Sequence, residues 1–257
     1  MRIVFDIGGT SMRVAGADGG VLGEVRKVPT PQEPKEGIAM LARIAHELGG
    51  KELTAAIGDV PSSIDGSGRM YDAPNLPLWD GMNIVEELSR ALGTPARVLN
   101  DTVVVGYGEM QKGAGRRFSR VAYITVSTGV GGALINTGDV SKSPLLTELG
   151  VLKPRLESQI SGTAVSKKFG IHPKELDSLD ERNKLADILA EGLAEIAAAW
   201  KPDVFVLGGS MIVGVNPIPL ERVREQLRAR GDVEVPVRMA ELGDNGGLIG
   251  AVALLGA

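Results

Sequence analysis

Residues 96–110 read ARVLNDTVVVGYGEM. Arg97 to Leu99 is a short apolar run with the character of a buried strand. From Thr102 to Met110 the apolar residues take helical spacing. Asn100-Asp101 stands at the joint, and Asp101 admits two readings. It can be the N-cap of the helix that begins at Thr102. It can also be a general base that accepts a hydroxyl proton while the hydroxyl attacks a γ-phosphoryl group, with Asn100 orienting the acceptor. The second reading gains weight from two Gly-rich turns on either side in the chain, Gly8-Gly9-Thr10 and Thr128-Gly129-Val130-Gly131-Gly132.

The rest of the chain fits an α/β protein. There are 257 residues, enough for one large domain or two medium ones. Aromatics make up 4% of the chain, so the core must come from Val, Ile, Leu and Ala. The 35 glycines are interleaved with apolar runs, as tight strand-to-helix turns require. The formal charge is -4, and the densest basic stretch, Lys112 to Arg120, reads as a solvated loop, so no nucleic-acid partner is expected. The chain has 0 cysteines, which excludes disulfides, thiolate metal sites and a cysteine nucleophile. It opens on MRIVFD without a leader pattern, and no apolar run approaches ~20 residues. A cytoplasmic protein without a membrane partner is the expectation.

In order, Arg2 to Phe5, Met12 to Ala17 and Val21 to Val28 read as a three-stranded meander, with Asp18-Gly19-Gly20 as a tight hairpin turn. Ile38 to Leu48 is a helix and Leu53 to Ile57 a strand. Pro61 to Asp80 is a long polar loop of the kind that is functional or disordered. A helix starts at Asp80 or Gly81 and closes at Gly93. The second half repeats the order. Val121 to Val126 and Gly131 to Ile135 are strands, and Leu145 to Leu152 offers a third. Thr163 to Phe169 and Leu185 to Trp200 are helices, and Val204 to Leu207 is a strand. Pro219 to Arg230 is a helix, Val233 to Met239 a strand and Gly247 to Leu255 a last helix. This is read as a duplicated α/β fold with the active site in a cleft between two lobes. One lobe covers 1–111, completed by the C-terminal helix 244–257; the other covers 112–243.

The first turn follows Asp6. Its amides and the Thr10 hydroxyl could cradle an anion, and Asp6 is compatible with a phosphate only if Mg²⁺ is held between them through water. A plain hairpin turn explains the same residues equally well. The turn of Thr128, Gly129 and Gly131 poses the same choice. Gly208-Gly209-Ser210 ends a third strand and is either a nucleotide contact beyond the carboxyl end of that strand or the start of a helix capped by Ser210. Glu148 and Glu157 lie in a polar, turn-rich segment and are by themselves ordinary surface acids.

The ordered set of motifs resembles the ROK family (repressors, open reading frames, kinases) of the actin-like, ribonuclease H-like superfamily. The matching stretches are DIGGT at 6–10, APNLPLWDG at 73–81, LNDTVVVGYGE at 99–109, STGVGGALI at 127–135, VFVLGGSMI at 204–212 and DNGGLIGAVALL at 244–255. The resemblance implies an ATP-dependent sugar kinase using Mg²⁺, acting on a glucose-like hexose or an N-acyl hexosamine, and assembled as a homodimer. It implies Asp101 as base, and Asn100, Asn75, Glu148 and Glu157 as sugar contacts. Gly8, Gly9, Thr10, Thr128 and Gly129 would hold phosphates, with the first lobe on the sugar side and the second on the nucleotide side. Three features depart from the family. Val151 stands where the Glu-x-Gly-His histidine would be, the zinc-binding cysteines are missing, and Ser62 replaces a glycine. These departures bear on the sugar rather than on phosphoryl transfer, and they motivate a rival reading as a binding protein without catalysis, or a kinase of a polyol. No DNA-binding segment precedes Met1, which points away from the repressor branch.

Overall fold

The computed structural model describes residues 1–50, 52–138, 140–231 and 234–256. The chain divides into two units: residues 1–111 with 242–257, and residues 112–241. Each has its own apolar core.

The first unit opens with the meander β1 (Arg2–Ile7), β2 (Ser11–Asp18) and β3 (Val21–Pro29). Gly19 and Gly20 both take positive φ in the connecting turn, which only glycine does without strain. Helix α1 (Pro34–Gly49) leads to β4 (Ala55–Val60). The segment 61–80 is ordered, not loose. It holds the short hairpin β5 (Ser63–Ile64) and β6 (Met70–Tyr71), and a 3₁₀ turn that carries Trp79 into the core. The Trp79 indole N–H donates to the Gln32 carbonyl at 3.1 Å. A β-carbon at position 37 would lie 2.3 Å from its ring, so Gly37 on α1 makes room for it. Helix α2 (Ile84–Leu92) starts later than expected. Gly81 has φ +79° and cannot begin it, and Asn83 caps it by accepting from the Glu86 N–H at 3.1 Å. Then β7 (Ala96–Asn100) passes directly into α3 (Asp101–Lys112).

The second unit contains β8 (Arg120–Val126), β9 (Val130–Asn136), α4 (Leu152–Ile160), α5 (Gly162–Phe169) and α6 (Leu179–Trp200). It continues with β10 (Val204–Gly208), α7 (Ser210–Val213), α8 (Leu220–Ala229) and β11 (Val237–Met239). The start expected for that last strand, Val233, lies outside the described residues. Helix α9 (Gly246–Leu254) then returns to the first unit and packs on β1 and β4.

The sheet orders are β3-β2-β1-β4-β7 and β11-β10-β8-β9. In the first, β1 runs antiparallel to β2 and parallel to β4, which is parallel to β7. In the second, β8 runs antiparallel to β9 and parallel to β10, which is parallel to β11. The order and senses of four strands therefore repeat, which is the duplicated α/β arrangement read from the sequence. The third strand expected over 145–152 is not formed. A single bridge, Ala133 to Leu145, is all that remains of it. The Glu148 carboxylate bends back to accept from the Leu145 N–H at 2.9 Å, the chain enters a 3₁₀ turn, and α4 follows.

Candidate functional site

In the first unit, three parallel strands end beside a carboxylate: β1 at Asp6, β4 at Asp59 and β7 at Asn100-Asp101. Strand register sets Asp6 opposite Asp59. Asp59 is 1% exposed, and its Oδ2 finds no donor among the described residues. Burial pushes its acid well above the ordinary carboxylate range, and the charges of Asp6 and Asp101 push the same way. A side-chain hydrogen bond between the two acids raises Asp59 further and works against the rise at Asp6. Burial also raises Asp6, but the Arg13 guanidinium, 2.8 Å from its Oδ2, opposes that and favours the ionised form. Helix α9 closes over both acids. A β-carbon on Gly247 would stand 2.8 Å from Asp59 Oδ2 and 3.3 Å from Asp6 Cβ, so only glycine fits there. The same helix crosses α3 at contact distance, and a β-carbon on Gly250 would meet the Val104 carbonyl at 2.0 Å.

Asp101 is half-buried at the first turn of α3. Burial pushes its acid up to about 7, against the hydrogen bond from Thr102 N–H to Oδ1 at 2.8 Å, and the negative charge of Asp6 adds to the rise. Asn100 holds the helix end. Its Oδ1 accepts from the Thr102 N–H at 3.0 Å and from the Thr102 hydroxyl, while its Nδ2 donates to the Ser62 carbonyl at 3.1 Å. The capping work at this joint is thus shared, and Asp101 Oδ2 carries none of it in the described hydrogen bonds. The buried Ser62 hydroxyl donates to the Tyr71 carbonyl at 2.8 Å and braces the segment 61–80.

The two glycine turns share one design. In the first, the Gly8 N–H donates to the Ser11 carbonyl at 3.0 Å. The turn carbonyls are taken: Thr10 accepts from Thr30 N–H, Gly8 from the Thr30 hydroxyl at 2.6 Å, and Gly9 from Gln32 Nε2 at 3.4 Å. In the second, the Ser127 N–H donates to Gly129, the Gly162 N–H to Ser127, and both the Thr163 N–H and hydroxyl to Thr128. The amides of Gly9, Thr10, Thr128 and Gly129 have no partner among the described residues. Carbonyls bound to the scaffold and amides left over make a turn electropositive on its open side.

Other expected site residues fall less evenly. Asn75 is exposed, and its backbone abuts the first turn, where a β-carbon on Gly9 would meet the Asn75 carbonyl at 2.8 Å. Glu157 Oε2 accepts from the Val130 N–H at 3.0 Å and lies 3.6 Å from Lys153 Nζ, so it fastens the second turn. Glu148 is exposed and spent on Leu145. Gly131 lies within β9, opposite Thr125, and not in the turn. Gly208 ends β10, and Gly209, at φ +87°, is the N-cap position of α7, which leaves Ser210 as the first helical residue and not the cap. A β-carbon on Gly209 would come 2.3 Å from the Val126 carbonyl. Asp59 and Arg13 went unread in the sequence. The signal was there: Asp59 closes an apolar run just as Asp6 and Asp101 do.

The family model described as ROK family matches residues 2–257. The chain belongs to the ROK family. Among its ROK relatives, the bifunctional enzyme NanE/NanK of Brucella melitensis is 27% identical over 98% of this chain and 53% of that protein, so the chain spans about half that enzyme's length. A glucokinase of Streptomyces coelicolor is 24% identical over 99% of this chain and 97% of its own. The solved ROK hexokinase of Thermus thermophilus superposes with a TM-score of 0.77 at 25% identity, covering 97% of this chain and 96% of that one. These likenesses run the length of both units and share the actin-like fold. Among the described residues no group of three His, Cys, Asp or Glu side chains could hold a metal ion, and no helix is long and apolar enough to cross a membrane.

Proposed function

We propose that this ROK chain is an ATP-dependent sugar kinase that phosphorylates a hydroxyl of a glucose-like hexose or an N-acyl hexosamine. One observation carries the reading: two glycine turns with spent carbonyls and open amides occur in the same chain as a carboxyl poised near neutral pH. The hexokinase and glucokinase relatives support the substrate class.

The first unit supplies the sugar side and the second the nucleotide side. Asp101 takes the acceptor proton through Oδ2, while the Thr102 amide keeps Oδ1 in place. The acceptor oxygen bonds to the γ-phosphorus as the bond to the departing ADP oxygen breaks. Asn100 offers the second hydrogen of its Nδ2 to the sugar and Asn75 joins it on the same side, while Glu148 and Glu157, which belong to the second unit, are assigned to the sugar by family resemblance alone. The amides of Gly9, Thr10, Thr128 and Gly129 hold phosphate oxygens, with Gly8 shaping the first turn and Gly131 following the second in β9. Gly208, Gly209 and Ser210 contact the nucleoside. Asp6 suits Mg²⁺ held through water: its carboxylate stands next to an anion turn, and among the described residues no cluster of ligands would cage the ion. Bound there, Mg²⁺ would neutralise phosphate charge. A homodimer is the assembly we assign by family.

The test is ADP release across a panel of hexoses, N-acyl hexosamines and polyols. Stimulation by a hexose or hexosamine supports the proposal, and stimulation by polyols alone redirects it to another alcohol. The reading as a binding protein rests on the diverted Glu148 and on Val151, which is 79% exposed and offers a sugar no hydrogen bond. It requires that no acceptor stimulates release.

A further inference from the structure

Thr102 heads a run of β-branched residues, Thr102-Val103-Val104-Val105, and is 5% exposed. Valine fills the next three places, so the packing gives no reason for a hydroxyl at the first. A buried hydroxyl costs free energy unless it is hydrogen-bonded. This one donates to Asn100 Oδ1.

The hydrogen-bonding capacity of the Asn100 amide is two lone pairs and two hydrogens. Oδ1 accepts from the Thr102 hydroxyl and from the Thr102 N–H at 3.0 Å, which takes both lone pairs. One Nδ2 hydrogen goes to the Ser62 carbonyl at 3.1 Å. The other has no acceptor among the described residues, and Asn100 is only half-buried. A turned-over amide would set its hydrogens against the Thr102 N–H and its oxygen against the Ser62 carbonyl, so the orientation is fixed. The Thr102 N–H is claimed twice, by Asn100 and, more closely, by Asp101 Oδ1 at 2.8 Å. Among the described residues, the Thr102 hydroxyl is therefore the one donor that Asn100 Oδ1 does not share with Asp101.

We infer that Thr102 is a positioning residue for the sugar: its hydroxyl completes Asn100 Oδ1, which holds the free Nδ2 hydrogen toward the acceptor and leaves the Thr102 N–H to Asp101. The assignment rests on the kinase reading above and deepens it. With both lone pairs taken, Asn100 meets the sugar as a donor alone, and the hydroxyl it touches is read as a hydrogen-bond acceptor. Thr102 acts through Asn100 and not by contact with the sugar.

The experiment is steady-state ADP release by the full chain with glucose, mannose, fructose, N-acetylglucosamine and N-acetylmannosamine. The fastest acceptor of wild type is carried through Thr102→Val, Thr102→Ser, Asn100→Ala and the double variant of Asn100→Ala with Thr102→Val, with a melting curve for each. Thr102→Val should raise the sugar KM about fivefold, the size of one lost hydrogen bond. The KM for ATP should hold, and Thr102→Ser should keep wild-type values. In the Asn100→Ala background the valine should change kcat/KM by less than about twofold, because its route of action is already gone. A wild-type sugar KM in a folded Thr102→Val overturns the assignment and leaves the kinase reading intact. A loss of equal size in both backgrounds also overturns it, since that marks packing. Where Thr102→Val or Asn100→Ala does not fold, Thr102→Ala and Thr102→Ser decide: a raised sugar KM in the alanine variant alone supports the assignment, and equal values in the two overturn it. Failure of wild type to turn over any of these sugars removes the sugar-kinase reading and the assignment together.

Discussion

At the scale of the residue, Asp101 links chemistry to pH. Its acid sits at about 7, raised first by burial. A base works only when ionised, so kcat/KM should climb about tenfold per pH unit below 7 and level off above it, as a pH-rate profile would show. Asp101→Asn removes the base and should lower kcat by about 10²–10⁴-fold, read in the ADP-release assay. A flat acid limb in wild type would sink the assignment. The same shift has a stability consequence of opposite sense. The folded acid keeps its proton longer than the unfolded one, whose ordinary value is 3.8. Ionising it therefore costs the folded state as pH rises from about 4 through 7, with no cost below that window and the full cost above it. Asp101→Asn should raise the melting temperature at pH 8 and leave it unchanged at pH 4. A variant that is less active and more stable at the same pH would mark a group held where burial opposes its charge.

At the scale of the element, the turns are only as firm as what holds their carbonyls. Glu157 sits on α4 and ties down the Val130 amide. Glu157→Ala should cost about 1–3 kcal/mol and speed hydrogen exchange at the Val130 amide. Protection equal to wild type would return Glu157 to a sugar-facing role alone. Gly9→Ala would force a β-carbon against the Asn75 carbonyl at 2.8 Å, so it should raise the KM for ATP by more than tenfold in the same assay and also lower the melting temperature, because backbone must shift to admit it. The legibility of these elements in the sequence varied for physical reasons. Both turns were readable as turns because glycine stands next to strand ends there, while the choice between a hairpin and an anion cradle stayed open in the sequence. Helix α4 was not, because Pro154 stands in its first turn and breaks the apolar pattern, although a helix tolerates proline there. The first turns of α6 were hidden by exposed charges, yet Ser178 caps them by accepting from the Glu181 N–H, a Ser-x-x-Glu spacing present in the chain. Asp59 was passed over because no glycine turn follows it. The tethering role of Glu157 was invisible, since nothing in 155–162 says which backbone amide its carboxylate will find.

At the scale of the molecule, the duplication was legible in the order of elements and is clear in the strand senses, which repeat without exception across four strands of each sheet. The two cores are separate, and the second is continuous in the chain. A fragment of residues 112–241 should therefore unfold cooperatively by itself, as followed by circular dichroism. A chain cut after Glu241 should lose the cooperative transition of its first unit, because the face of β1 and β4 that holds Asp6 and Asp59 is stripped of α9. A single noncooperative melt of the 112–241 fragment would count against this division. The return of α9 also fixes a timetable. As the ribosome delivers the chain, residues 1–111 emerge first but cannot cover Asp6 and Asp59 until the whole second unit has been synthesised. The unit begun first is finished last, and a nascent chain stalled anywhere before α9 carries an unclosed first unit.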